Sequence, residues 1–97
     1  MIRKYELMYI VDSSMSEDGV KSIIEKINAV IGKKGELVEQ QNLGEKKLAY
    51  TIKKKQKGIY IFNVVKGEQE TVNEAERTLK ITDGVLRYLT IRADTAQ

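Results

Sequence analysis

The sequence contains no cysteine, no histidine and no proline. Without cysteine there can be no disulfide framework, thiolate metal site, iron–sulfur cluster or cysteine nucleophile. The lack of histidine removes the commonest general base, the commonest zinc ligand and every triad that depends on histidine. No apolar run approaches the length of a membrane span or of the core of a secretory signal. The expected protein is cytoplasmic and carries no address label.

What is present suits one folded domain. The chain has 97 residues, of which 41% are hydrophobic and 32% are charged. This length is close to the usual size of one domain, and the composition is that of a globular chain rather than a disordered one. We therefore expect residues 1–97 to form a single domain, with residues 93–97 as a frayed tail.

Positive charge is concentrated in one part of the chain. The net charge is only +3, but residues 41–66 hold seven lysines and one acid, Glu45. Residues 46–57 hold six lysines and no carboxylate. Such a run can be a solvated loop, yet clustered cations also bind nucleic acid by releasing its counterions. A polybasic membrane patch is disfavoured, because no amphipathic helix or lipidation signal lies beside the run.

Four strands are predicted from runs of β-branched and aromatic residues. The third is the clearest, Gly44 breaks or bulges the second, and Asp83 with Gly84 makes a tight turn before the fourth. The predicted strands cover residues 5–11, 36–43 with an alternating continuation at 48–52, 59–65 and 85–91.

Two helices are predicted between these strands. Ser14 with Glu17, and Thr71 with Glu74, form capping boxes that predict where the helices begin. Lysines and glycines at residues 32–35 predict the end of the first helix. Apolar residues at three-and-four spacing mark the face that each helix buries. The predicted buried residues are Val20, Ile23, Ile24, Ile27, Val30, Ile31, Val72, Ala75 and Leu79.

The element order is therefore βαββαβ, the split βαβ arrangement. Right-handed crossovers place both helices on one face of a four-stranded antiparallel sheet. The predicted fold class is α+β.

The first and third strands are apolar on both faces, although a sheet covered on one side should alternate. We interpret the pattern with Leu7, Tyr9, Tyr60 and Phe62 facing the helices. Loops and the tail could cover the other face, or a partner protein or nucleic acid could, since large apolar patches mark interaction sites. That second face would carry Met8, Ile10, Ile59 and Ile61.

No group of residues supports catalysis. The carboxylate pairs lie at predicted helix starts, the serines near residue 14 have no base to activate them, and no glycine-rich phosphate loop is present. We expect no enzymatic activity, no metal site, no cofactor and no small-molecule substrate.

Residues 57–64 resemble the ribonucleoprotein motif of RNA-recognition domains, which share this element order. That motif carries base-stacking aromatics one and three places after its glycine, where this chain has Ile59 and Ile61. Tyr60 and Phe62 are predicted to face the helices instead. Base stacking across the sheet is therefore not expected, and an aliphatic face suits a protein partner better.

Four stretches together resemble ribosomal protein six of the bacterial small subunit. The resemblance runs from about residue 2 to residue 92 with matching element order. The family commonly has two arginines where Lys46 and Lys47 stand, so the charge is kept while the bidentate phosphate geometry is not. The stretches are residues 3–6, 43–52 with the lysines that follow, 58–64 and 79–88.

The resemblance implies a ferredoxin-like fold in the small-subunit platform and no catalysis. It implies binding to the central domain of small-subunit rRNA beside ribosomal protein eighteen. Of the cations expected on RNA, Lys46, Lys47 and Arg87 occupy matched motif positions, and Lys53 to Lys57 rest mainly on charge density. The expected RNA-binding residues are Arg3, Lys46, Lys47, Lys53, Lys54, Lys55, Lys57, Arg87 and Arg92. The expected protein-partner residues are Met8, Ile10, Tyr50, Ile59 and Ile61.

Two other functions share this topology. A ligand-sensing regulatory domain would dimerise around a pocket between subunits, but the sequence offers no polar cluster to line one. A free-standing RNA-recognition domain is disfavoured by Ile59 and Ile61.

Overall fold

The chain folds into one four-stranded antiparallel sheet with two helices packed on one of its faces. The structure is a computed structural model that describes residues 2–52 and 55–93. Its strands lie in the order β2-β3-β1-β4. This arrangement confirms the predicted α+β, ferredoxin-like fold. The elements are β1 (Arg3–Asp12), α1 (Glu17–Lys34), β2 (Glu36–Ile52), β3 (Lys55–Gly67), α2 (Gln69–Ile81) and β4 (Val85–Arg92).

Helix α1 begins two residues later than the capping box predicts. Ser16 is the N-cap, and its Oγ accepts a hydrogen bond of 3.0 Å from the backbone N–H of Gly19. Ser14 instead donates from its N–H and its hydroxyl to the Asp12 carboxylate. The helix ends at Gly35, as the glycines predict, where the Gly35 N–H donates to the carbonyl of Ile31.

Helix α2 begins three residues earlier than predicted, because its N-cap is Glu68 and not Thr71. Thr71 is therefore not a cap but a buried residue of the first turn, and its N–H donates to the Glu68 carbonyl. Lys34 at the end of α1 forms an ion pair with Glu70 in the same turn. That contact raises the pKa of the Lys34 ammonium and joins the two helices at the surface.

The core lies between the sheet and the two helices. Ile27 and Ile31 of α1 and Leu79 of α2 pack there with Leu7 and Tyr9 of β1. Tyr9 is fully buried, and burial raises the pKa of its phenol, which stays neutral. The apolar stripes of both helices are thus used as their spacing predicts.

Strand β3 faces the opposite way from the prediction. Ile61 is opposite Tyr9 in the sheet, is 0% exposed and belongs to the core under the helices. Ile59 packs against the same core. Tyr60 and Phe62 alternate with these residues and lie on the other face of the sheet. The predicted face was wrong for all four residues. Ile61 is fully buried, and Ile59 is partly buried on the helix side, so neither lies on the face predicted for a partner.

Asn63 explains the error, because the sequence pattern treats it as an outward-facing polar residue. It is fully buried on the helix side. Its Nδ2 donates to the Leu7 carbonyl at 3.0 Å, and its Oδ1 accepts from Gln40 Nε2 at 2.7 Å. The same Gln40 nitrogen lies 2.7 Å from Asn28 Oδ1. A polar side chain is tolerated in a core when its hydrogen bonds are made.

Candidate functional site

The lysine-rich segment forms a two-stranded arm that extends past the rest of the sheet. Strand β1 ends at Asp12, opposite Gly58 of β3. At this point Gly58 also pairs with Lys46 of β2, and the two strands continue beyond it through Lys47 and Lys57. We call residues 46–52 and 55–57 the arm. No other strand of the described chain pairs with it, so its cations project away from the body of the fold.

A glycine at the base of the arm allows two apolar side chains to pack closely over β3. A Cβ atom at Gly58 would lie 2.3 Å from Ile10 Cγ2 and 3.6 Å from Leu48 Cδ2. Glycine therefore allows Ile10 and Leu48 to close over the strand, and both side chains are buried. Leu48 is a buried apolar residue within the lysine-rich arm.

A bulge in β2 precedes the arm. The pairing register shifts between Asn42 and Gly44, which leaves Leu43 as the extra residue with 41% of its surface exposed. Gly44 has a φ of 84°, in the region that favours glycine. Asn42 Oδ1 accepts a 2.9 Å hydrogen bond from the Gly44 N–H. Such bulges bend a strand, so the interruption predicted at Gly44 is a bend within one continuous β2.

The described arm cations are exposed. Lys46, Lys47 and Lys57 all have exposed side chains. Arg87 is also exposed. It is opposite Ile10 of β1, near the end of the sheet where the arm begins. Lys53 and Lys54, and the side chains of Lys55 and Tyr50, lie outside the described part of the structure.

Two predicted RNA-binding residues lie far from the arm. Arg3 is opposite Gly67, and Arg92 is opposite Tyr5, so both mark the other end of the sheet. Asp12 lies nine residues after Arg3 in β1, a distance of about 30 Å at the usual rise of a strand. The structure does not bring Arg3 and Arg92 together with the arm.

The face of the sheet opposite the helices is largely apolar, although Glu6 and Arg87 also lie on it, and we call it the open face. Phe62, Met8 and Leu89 form one row across β3, β1 and β4. Leu89 is 49% exposed and Ile91 is 52% exposed. A depression of about 180 Å³ adjoins Met8 and Leu89. The apolar residues of the open face are Met8, Ile10, Tyr60, Phe62, Val64, Leu89 and Ile91.

The open face differs in membership from the predicted partner surface. Met8 and Ile10 lie where the pattern of β1 places them, although neighbours bury Ile10. Tyr60 and Phe62 replace Ile59 and Ile61. Leu89 and Ile91 were missed, although their alternation along β4 was a signal that could have placed them on one face.

The described residues offer little for other chemistry. They contain no group of three or more acidic side chains placed to hold a metal ion. Neither described helix is both long enough and apolar enough to cross a membrane. A second groove, of about 600 Å³, lies between α1 and β2. Its apolar lining includes Ile24 and Ile59, and its polar lining includes Glu17 and Glu45.

Comparison with known proteins identifies the family. The family model for ribosomal protein S6 matches residues 4–92. The chain belongs to the ribosomal protein S6 family. The small ribosomal subunit protein bS6 of Thermoanaerobacter pseudethanolicus is 44% identical over 94 residues, covering 96% of this chain and 99% of the relative. The protein of the same name from Caldanaerobacter subterraneus subsp. tengcongensis is 39% identical over the same shares of both chains.

A solved structure of the S6 family has the same fold. The crystal structure of 30S ribosomal protein S6 from Thermotoga maritima superposes with a TM-score of 0.90 at 25% identity. The alignment covers 97% of this chain and 90% of that one. As a member of the S6 family, the chain is a structural protein of the small ribosomal subunit and not an enzyme. The predicted resemblance and the predicted lack of catalysis are both confirmed.

Proposed function

We propose that this S6-family protein binds the central domain of small-subunit rRNA through the arm, in the ribosomes of the cytoplasm. We propose further that its open face binds ribosomal protein eighteen. The observation that carries the proposal is the arm, because its exposed lysines project where no other described strand competes for the space.

The arm suits a nucleic-acid backbone. Lysine ammonium groups bind phosphate as flexible point charges and release condensed counterions from the nucleic acid. Residues 46–57 include no carboxylate that could neutralise the lysines from within the arm. Leu48 is buried beside Gly58 at the base of the arm, so this part of the arm is ordered before RNA binds. The arm would then position the chain on RNA without reading its sequence.

The open face suits a protein. Burial of its exposed apolar residues, such as Leu89 and Ile91, is favourable by about 25 cal/mol per Å² removed from water. The net affinity is smaller than this sum, because association costs translational and rotational entropy. The free chain leaves these side chains in water, which is a reason for the family to act with a partner.

A second candidate function, the stacking of RNA bases on the open face, follows from the corrected orientation of β3. Tyr60 and Phe62 lie on the open face, so the reason for excluding base stacking no longer holds. The remaining exposed residues, Leu89 and Ile91, are aliphatic and offer no ring for a base to stack on. A protein surface therefore remains the better match for the face as a whole.

The proposed RNA contact is tested by reversing charge on the arm. The double variant Lys54→Glu with Lys55→Glu should weaken binding to a transcript of the central domain, while the melting temperature of the free chain stays nearly unchanged. If about six cations contact phosphate, the wild-type slope of log affinity against log salt should be on the order of −4 to −5.

The matched control reverses two exposed helix lysines, Lys21→Glu with Lys80→Glu, and so changes the net charge equally. This control should retain most of the binding. Equal losses in both double variants would show that overall charge, and not the arm, determines the affinity.

A further inference from the structure

Two lysines of the arm face each other directly. Lys47 of β2 and Lys57 of β3 are cross-strand partners, and both side chains are exposed. Directly opposite residues in an antiparallel pair have Cβ atoms about 4.5 to 5.5 Å apart, and like charges at such positions destabilise the pair. The sheet thus holds two ammonium groups on one side of the arm at a cost to the free protein.

No described residue neutralises this pair. Neither Lys47 nor Lys57 forms an ion pair with any part of the chain that the structure describes. Glu45 lies on the same side two residues before Lys47, opposite Ile59, but it does not bond to either lysine. An unneutralised like-charged pair is what an external anion would stabilise.

The pair also marks the end of the regular register. The next pair along the arm joins Ile52 to Lys55, which is five residues on from Lys47 in β2 but only two from Lys57 in β3. Strand pairing is therefore irregular immediately beyond the two lysines. Their spacing is set by the regular part of the hairpin, which ends with the neighbouring pair of Lys46 and Gly58 and with the two lysines themselves.

We propose that Lys47 and Lys57 together clamp a single phosphate group of the RNA backbone. The proposal rests on the RNA-binding function proposed above and assigns one contact within it. Each lysine has a flexible four-carbon stem and a compact charge, so two ammonium groups on facing residues reach the same phosphate. The bound phosphate cancels the repulsion that the free arm retains.

The clamp lies on the opposite side of the arm from the protein surface. Lys57 is two residues before Ile59 and therefore shares the helix side of β3. Lys46 pairs with Gly58, whose missing Cβ points at Ile10 on the open face. RNA on the clamp and a protein on the open face would thus approach from different sides and bind together.

The test is a double-mutant cycle on binding to a transcript of the central domain, across a series of salt concentrations. Lys47→Gln and Lys57→Gln should each weaken binding several-fold, and the double variant should lose clearly less than the product of the single losses. In the double variant, the magnitude of the slope of log affinity against log salt should decrease by about 0.9, the value for one phosphate, and not by about 1.8. Lys46→Gln, an equal charge loss on the other side of the arm, should combine with Lys47→Gln multiplicatively.

A readout on the free protein accompanies the cycle. Because the pair is repulsive, Lys57→Gln should raise the melting temperature at low salt, and added salt should reduce this gain. Multiplicative losses for Lys47 and Lys57, or a slope change of about 1.8, would overturn the clamp. If these variants bind as the wild type does while Lys54→Glu with Lys55→Glu does not, the clamp is wrong and the RNA function stands. If arm charge reversal also leaves binding intact, the proposed function fails with it.

Discussion

At the scale of single residues, Asn63 determines how β3 is oriented. Its burial is possible because the Leu7 carbonyl and Gln40 satisfy its side chain. The sequence shows the asparagine but not its partners, which are 56 and 23 residues away in the chain. Hydrophobic alternation therefore assigns it to the outer face and turns Ile59 and Ile61 outward with it.

Removal of the Asn63 side chain should destabilise the fold. In Asn63→Ala the Leu7 carbonyl and the Gln40 amide lose buried partners, which costs about 1 to 3 kcal/mol. Urea unfolding followed by circular dichroism measures the loss. Asn73→Ala is the matched control, because Asn73 is exposed on α2 and bonds only to Gln69 among the described residues. Equal stability of the two variants would mean that the buried network contributes nothing.

At the scale of elements, composition and spacing predict the order of strands and helices and both buried helix stripes. They fail at boundaries, since Ser14, Ser16 and Thr71 are all acceptable caps and only tertiary packing selects among them. Thr71 is used inside α2, where its side chain packs close to Gly35 and Gly67. The length of the arm also cannot be predicted from the sequence, because it depends on where β1 ends relative to β2 and β3.

The capping assignment gives a prediction for α1. Ser16→Ala removes the side-chain acceptor of the Gly19 N–H and should lower the free energy of unfolding by about 0.5 to 2 kcal/mol. Ser14→Ala, in the same loop, should change it by less than about 0.5 kcal/mol, as surface substitutions usually do. Thermal unfolding of both variants measures the difference. A larger loss for Ser14→Ala would return the cap to the position that the sequence pattern favours.

At the scale of the whole molecule, the fold separates two surfaces. The arm carries the lysines beyond the end of β1, and the open face presents apolar side chains across three strands. The lysine run was evident from the sequence, because a cluster of charged residues along the chain can be recognised without knowledge of the fold. The sequence did not reveal which residues lie on the open face, because a shift of one residue exchanges the two sides of a strand.

The open face is where the structure differs most from the sequence pattern, and the binding of a protein partner to this face is the proposal to test first. The measurement is calorimetric titration of the chain with ribosomal protein eighteen, in the absence of RNA. Leu89→Lys would place a charge in the proposed interface and should weaken binding by at least about tenfold, or 1.4 kcal/mol. Circular dichroism should show an unchanged fold, because Leu89 is half exposed in the free chain.

Leu43→Lys is the matched control, since Leu43 is an exposed leucine at the β2 bulge, on the far edge of the sheet. We predict wild-type affinity for Leu43→Lys and a loss of affinity for Leu89→Lys. Wild-type affinity for Leu89→Lys, whatever the affinity of Leu43→Lys, would contradict this prediction and place the protein partner elsewhere on the chain.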